Sequence, residues 1–401
     1  VLFIAKGVPS VGYEVYRVLP TPQVSPSSEV HSNQPDFLMA NIDTDIIENE
    51  FFKIEVDAWN GAIKSLVNKA TDWEVIPQDK PFGNTVVQEL DNGNFWEYNG
   101  HCKGDALIPM NRLHPLPAEC DRRASFSHHY GGDGRVTNGR ARTDYNVNFA
   151  YGKGFFATRI RLYAGLPRID IHTRLINEDE RVRYRMALPT TLQNGTITQE
   201  IPFGAIERPN GEFPAQNWMD YSDDKQGIAI LNKGLPGNNV EGDVLLLSLL
   251  KCTALKEGYG EVGGFNRSTK TTDGYELGVS HAFDYAYVPH SGDWKQAQLY
   301  RRGLEFNQPL MARKTSHHSG SLPQRQSIYS LSAENVVISA VKSHPAGTVV
   351  RVYEAEGKPC SGVVLKSAFS ITGAEETDML EVGGVSISVE NDSVTFDIGA
   401  F

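Results

Sequence analysis

The 401-residue chain has only four cysteines, Cys102, Cys120, Cys252 and Cys360, widely spaced and without a C-x-x-C pair. A disulfide framework is not expected, and a reducing, cytoplasmic setting fits best. No apolar run approaches the roughly 20 residues needed to cross a bilayer, so no membrane partner is expected. The opening VLFIAKGVPS is apolar, but too short and too poor in basic residues for a signal peptide. Positive charge is also scarce. Lys and Arg number 38 against 49 Asp and Glu, a net charge of −11. A nucleic-acid partner would need a basic face to release counterions, so none is expected.

Motifs for several chemistries are missing too. GHCKGD (100–105) and GEVGGFNRS (260–268) lack the strand–Gly–Lys–helix context of a phosphate loop. There is no H-E-x-x-H metal motif and no G-x-S-x-G nucleophile elbow. His128-His129 and His317-His318 are adjacent pairs, which a strand would aim to opposite faces. No metal ligand set is assigned to the chain, and no repeat of fixed period is visible.

What is present is β-pattern. In FFKIEVDAWNGAIKSLVNK, Phe52, Ile54 and Val56 alternate with Lys53, Glu55 and Asp57, and Asn60-Gly61 signals a type I′ hairpin. PRIDIHTRLINED alternates in the same way, with Ile169, Ile171, Thr173 and Leu175 on one face. GIAILN (227–232) and DVLLLSLLK (243–251) are short unbroken apolar runs, expected as central strands covered on both faces. One helix stands out. After PHSGD (289–293), Asp293 is a plausible N-cap, Trp294, Ala297 and Tyr300 follow at helical spacing, and Gly303 can end the element.

Two polar Pro/Ser-rich stretches, TPQVSPSSEVHSNQP (21–35) and MARKTSHHSGSLPQRQS (311–327), read as linkers. The expected organisation is therefore an N-terminal strand and linker over 1–40, a large β-domain over 41–322 and a small β-sandwich over 323–401. The chain opens in mid-strand and stops at SVTFDIGAF, as a piece of a longer polypeptide would.

Candidate contacts come from loops rich in Asn, Gly and aromatics. Asn94, Trp96 and Tyr98 in DNGNFWEYNG have the side chains a sugar site uses, rings for the C–H face and amides for hydroxyls. Asn217-Trp218 has the same composition, although Trp218 and Trp294 read equally well as rings buried between sheets. The carboxylates Asp220, Asp223 and Asp224 could serve a glycosidase pair, or simply form a hairpin tip.

Several motifs recur in a fixed order: GVPSVGYEVYRV (7–18), IENEFFKIEVDAWNGAIKSLVNK (47–69), PRIDIHTRL, FGAIERP with FPAQNWMDYSDDKQGIAILNKG (203–234), DVLLLSLLKC (243–252), HAFDYAYVPHSGDWKQAQLYRRGLEFNQPL (281–310), and NVVISAVK with VVRVYEAEGK. Together they resemble the C-terminal β-region of glycoside hydrolase family 38, the α-mannosidases, over essentially the whole chain. The resemblance implies an all-β fold, a large galactose-mutarotase-like supersandwich followed by a small C-terminal β-sandwich. It implies a retaining, zinc-dependent parent enzyme whose nucleophile and zinc ligands lie in a separate N-terminal catalytic barrel, followed by a helical bundle. No cofactor is expected in this chain, which alone should be inactive. Its expected partners are that barrel and bundle of the same polypeptide, and mannose-containing glycans. The resemblance makes Lys251, where relatives usually carry arginine, and Arg208 candidates for substrate contact. Two other readings are a stand-alone carbohydrate-binding module gripping glycans through Trp96 and Tyr98, and a mutarotase-like enzyme pairing His281 or His290 with Glu89 or Glu305.

Overall fold

A computed structural model describes residues 2–19, 39–41, 44–90, 124–180, 182–252 and 273–401. Asn94, Trp96, Tyr98, Cys102 and Cys120 lie outside them.

Period-2 alternation of bulky apolar residues builds the larger part. A ten-stranded antiparallel sheet runs, in spatial order, through Gly204–Arg208, Thr196–Ile201, Trp218–Ser222, Gln226–Asn232, Ser280–Ser291, Ile169–Ile176, Gly154–Tyr163, Arg142–Tyr151, Arg135–Asn138 and Met39–Asn41. One face packs on a six-stranded sheet (Phe213–Pro214, Gly237–Glu241, Val244–Cys252, Val182–Pro189, Thr85–Leu90, Ala124–Phe126) and on a four-stranded sheet (Ile46–Glu48, Phe52–Val56, Ile63–Asn68, Trp73–Glu74). Phe52, Ile54, Tyr145, Phe156, Ile171, Met186 and Leu247 meet in that core. Polar atoms buried there are held by specific partners. The Asn84 Oδ1 accepts from the hydroxyls of Tyr285 at 2.8 Å and Tyr287 at 2.7 Å.

The unbroken apolar strands are covered on both faces, as their sequence predicts. Ile228 and Ile230 enter the main core, while Ala229 and Leu231 face outward beneath the helix. Leu245 and Leu247 point inward, while Val244 and Leu246 join Val87, Phe126 and Ala187 in an apolar cluster on the outer face of the six-stranded sheet.

Two local expectations are corrected. Asn60-Gly61 does not form a two-residue type I′ turn. Gly61 has φ +78° but Asn60 keeps a negative φ, and the chain loops from Asp57 to Ala62 instead. The cause is the Asp57 carboxylate, which accepts from the amides of Trp59 (2.9 Å) and Asn60 (3.3 Å) and opens the turn. The helix also starts later than expected. Asp293 does cap, accepting from the amides of Lys295 and Gln296, but it caps a short turn. Gln298 then adopts φ +50°, and the α-helix spans Leu299–Asn307. Gly303 does not end it. Gly303 lies against Trp218, where a Cβ would come within 2.8 Å of the ring, so glycine serves close approach here.

Trp218, Trp294, Leu299 and Tyr300 seal the helix onto the outer face of the ten-stranded sheet, and Ala355, Val337 and Tyr353 of the C-terminal part join them. That part consists of a four-stranded sheet (Tyr329–Leu331, Cys360–Ser367, Ser393–Ile398, Val389–Glu390) and the pairs Val336–His344 with Gly347–Glu354 and Ala374–Glu376 with Val385–Ile387. Gly12–Glu14, near the start of the described chain, pairs antiparallel with Arg325–Ser327. The early strand is thus joined to the first strand after the 311–324 stretch.

Candidate functional site

The outer face of the six-stranded sheet carries a buried cluster of charged side chains. Its origin is visible in the strand Val182–Pro189. Val182, Tyr184 and Met186 enter the core, so Arg183 and Arg185 must share the opposite face. Their neighbours complete the row. Arg183 stands opposite Lys251 on one side and Glu89 on the other. Arg185 stands opposite Ser248 and Val87. Adjacent strands lie about 4.8 Å apart, so Lys251, Arg183 and Glu89 form one line across three strands.

The guanidinium of Arg183 donates to both oxygens of Glu212, at 2.9 and 2.8 Å, and to the Ser248 hydroxyl at 2.6 Å. Ser248 in turn donates to Glu212. Arg185 donates to Glu89 at 3.1 and 3.4 Å, with a second nitrogen 4.0 Å from Glu212. Gly237 leaves the room for this arrangement, since a Cβ there would lie 2.7 Å from a Glu212 oxygen. Arg183, Arg185, Glu89 and Glu212 are all buried. Burial pushes the Glu89 carboxyl up to about 7, against the pull of Arg185 and Arg183. Burial also lowers the Arg185 pKa, helped by the neighbouring Arg183. These shared hydrogen bonds hold Arg183 and Arg185 in place within the row that ends in Lys251.

Arg208 joins the same region from another sheet. It ends the edge strand Gly204–Arg208 of the ten-stranded sheet, and its guanidinium sits 5.0 Å over the ring of Phe213. Phe213 follows Glu212 directly, so the 209–212 connection ties Arg208 to the cluster. The structure therefore brings Lys251 and Arg208 to the margins of one buried charged network, although the sequence separates them by 43 positions (251 − 208). Sequence reasoning singles out Lys251, Arg208 and Glu89 but not Arg183, Arg185 or Glu212. The signal for the arginines is their placement at alternate positions in a strand, between residues that must face the core.

Other candidates go elsewhere. Trp218 is buried against Trp294, ring centres 5.3 Å apart, and offers no face to a sugar. Asp220 is also buried, its carboxylate 2.8 Å from Nε2 of His290 and accepting from Ser222 at 2.6 Å. Asp223 accepts from the amides of Lys225 and Gln226 at the hairpin tip. His290 lies on the helix-covered face of the ten-stranded sheet, in step with Ala286 and Val288, whereas Glu89 lies on the outer face of the other sheet. The whole core separates them. His281 lies 3.3 Å from Glu276, and Glu305 is exposed on the helix. None of the acid–base pairs of the mutarotase-like reading is assembled. His128 and His129 sit in a short 3-10 turn rather than a strand, so they do not face apart; their rings contact at 4.3 Å. Among the described residues no group of three or more His, Cys, Asp and Glu side chains is placed to hold a metal ion. Among the described residues no helix is long and apolar enough to cross a membrane.

The chain is an all-β protein of two sandwiches, with a buried charged network on the outer face of the six-stranded sheet. Residues 47–257, 211 of the 401, match the model of the glycosyl hydrolases family 38 C-terminal domain, and the chain belongs to that family. It is 25% identical over 392 residues to alpha-mannosidase 2C1 of Mus musculus, covering 93% of this chain and 34% of that protein. It is 26% identical over 331 residues to alpha-mannosidase G of Dictyostelium discoideum, covering 78% of this chain and 27% of the relative. The chain thus spans about a third or less of these curated relatives. Among solved structures, a family 38 protein from Enterococcus faecalis superposes with a TM-score of 0.70 at 16% identity, over 91% of this chain and 44% of the other. That likeness establishes the shared fold.

Proposed function

We propose that this chain is the C-terminal β-portion of a retaining, zinc-dependent α-mannosidase that removes terminal α-mannosides. Its carrying observation is the family match together with α-mannosidase relatives aligned over up to 93% of the chain. Zinc and the nucleophile belong, in this reading, to an N-terminal catalytic barrel. The described residues offer no such ligand set. The charged face built on Arg183 and Arg185 supports the barrel, and Lys251 and Arg208 reach glycan hydroxyls at the rim. Lysine supplies a point charge there, where arginine would supply a bidentate fork. The free thiol of Cys360 suits a reducing compartment such as the cytoplasm.

The test compares two proteins on an aryl α-mannoside with zinc present. The 401-residue chain alone is expected to give no turnover. The full-length gene product is expected to give turnover that a chelator abolishes. Zinc-supported hydrolysis by the isolated chain would refute the assignment of catalytic groups to the barrel. A full-length product inert toward α-mannosides would refute the activity itself.

A further inference from the structure

Trp59 is 63% exposed, at the tip of the loop between the strands Phe52–Val56 and Ile63–Asn68. Trp73, Trp218 and Trp294, the other tryptophans among the described residues, are buried. A lone exposed aromatic is ordinarily unremarkable surface; this one is built into place. Its amide donates to the Asp57 carboxylate at 2.9 Å, and its carbonyl accepts from the amide of Gly132 at 2.8 Å. The carbonyl of Ala58 beside it accepts from Gly134 and from the Tyr145 hydroxyl, both at 3.0 Å. Asn60, on the other side, donates its side-chain amide to the His128 carbonyl at 3.0 Å. The indole itself lies on Gly131, so closely that a Cβ there would come within 1.9 Å of ring atoms. The pyrrole side of the indole thus rests on bare backbone, while the residue as a whole stays 63% exposed.

Three kinds of occupant differ in what they need. A lipid surface needs a continuous apolar patch, and a protein partner usually buries about 800 Å² per side around several apolar anchors. No other large exposed hydrophobic residue falls within 57–62 or 128–135. The same loops expose His129, Asp133 and Arg135, and Asp133 pairs with Arg135 at 3.2 Å. A single rigid ring face rimmed by charged and imidazole hydrogen-bonding groups matches a pyranose, which offers an apolar C–H face and a belt of hydroxyls. Rigidity adds to the fit, because a ring already fixed loses little entropy on binding.

We propose that Trp59, seated on Gly131 and flanked by Asp133 and Arg135, is a surface carbohydrate-binding subsite separate from the Lys251 face. That its sugar is mannose in a glycan chain rests on the function proposed above; the platform geometry does not. The subsite holds a polymeric or branched glycan on the protein while a terminal residue is cut elsewhere.

The experiment uses the full-length protein and its Trp59→Ala and Gly131→Val variants, with yeast mannan and an aryl α-mannoside as probes. Affinity electrophoresis in mannan reads binding, and hydrolysis of the aryl mannoside reads the catalytic centre. Both variants are expected to bind mannan roughly tenfold more weakly, as loss of about one ring stack implies, with aryl-mannoside turnover unchanged. In the parent protein, mannan is expected to shield one tryptophan from acrylamide quenching, and the Trp59→Phe variant is expected to lose that shielding. Unchanged mannan retention in both variants would overturn the subsite. So would a Trp59 already shielded without sugar, which would assign the ring to an interface with the rest of the polypeptide. Failure of the proposed activity would show differently, as absent aryl-mannoside turnover in the parent.

Discussion

At the scale of single residues, Lys251 and Glu200 lead to different tests. Lys251 stands in line with Arg183 and Glu89 on a face fixed by buried ion pairs. If it takes a glycan hydroxyl, it contributes to binding more than to bond cleavage. Lys251→Ala in the full-length enzyme is then expected to raise KM by roughly tenfold with little change in kcat, as loss of uniform binding does. Steady-state kinetics on an α-mannoside checks this, and a fall in kcat alone would contradict it. Glu200 is a stability matter. It is buried and accepts from the Asn217 amide at 2.7 Å, and burial raises its pKa to about 7. The unfolded carboxyl titrates near 4.5, so between about pH 4.5 and 7 the folded chain holds a proton the unfolded chain has lost. The stabilisation is complete below the lower value and fades as pH rises through the upper one. Glu200→Gln keeps an acceptor for Asn217 without the charge. It is expected to gain about 2 kcal/mol over the parent at pH 8 and nothing at pH 4, read from urea unfolding at both.

At the scale of elements, the strands were legible and their connections were not. Alternation in FFKIEVD fixes which side chains face the core, and the apolar run of 243–251 announces a strand covered twice. The hairpin at Asn60-Gly61 was misread because one carboxylate, Asp57, outcompetes the local turn preference. The helix was shifted because Gln298 enters the left-handed region, which no residue pattern announces. The candidate site was half visible. Lys251 and Arg208 stood out through the family resemblance, while Glu212, in a connection before a strand, becomes a partner of Arg183 only through a contact 29 positions away in sequence. Asp293 gives the element-scale prediction. Its carboxylate satisfies two amides of the turn that leads into Leu299–Asn307. Asp293→Ala is expected to cost about 1 kcal/mol, seen as a lower thermal midpoint with the activity profile kept.

At the scale of the whole molecule, the two sandwiches are joined by an exposed tether and by docking. Residues 310–324 are exposed throughout, whereas Tyr300 reaches Glu356 at 3.2 Å and Phe203 packs edge-on against Tyr353 at 5.7 Å. Limited trypsin digestion is therefore expected to cut first near Arg313 and Lys314. The two pieces should still co-elute in gel filtration under native conditions. Separation without denaturant would mean the docking contacts contribute little.

The pairing of Gly12–Glu14 with Arg325–Ser327 has a consequence in time. Tyr13 and Gln326 are 313 positions apart and face each other in register. A ribosome adding 5–20 residues per second needs roughly 15–60 s to cover that interval. Throughout it the early strand has emerged and its partner does not yet exist. The nascent chain must keep Gly12–Glu14 and the neighbouring exposed Val11, Val15 and Tyr16 from other edges until Arg325–Ser327 has been made, so this pairing closes only after every strand of the larger sandwich has been synthesised.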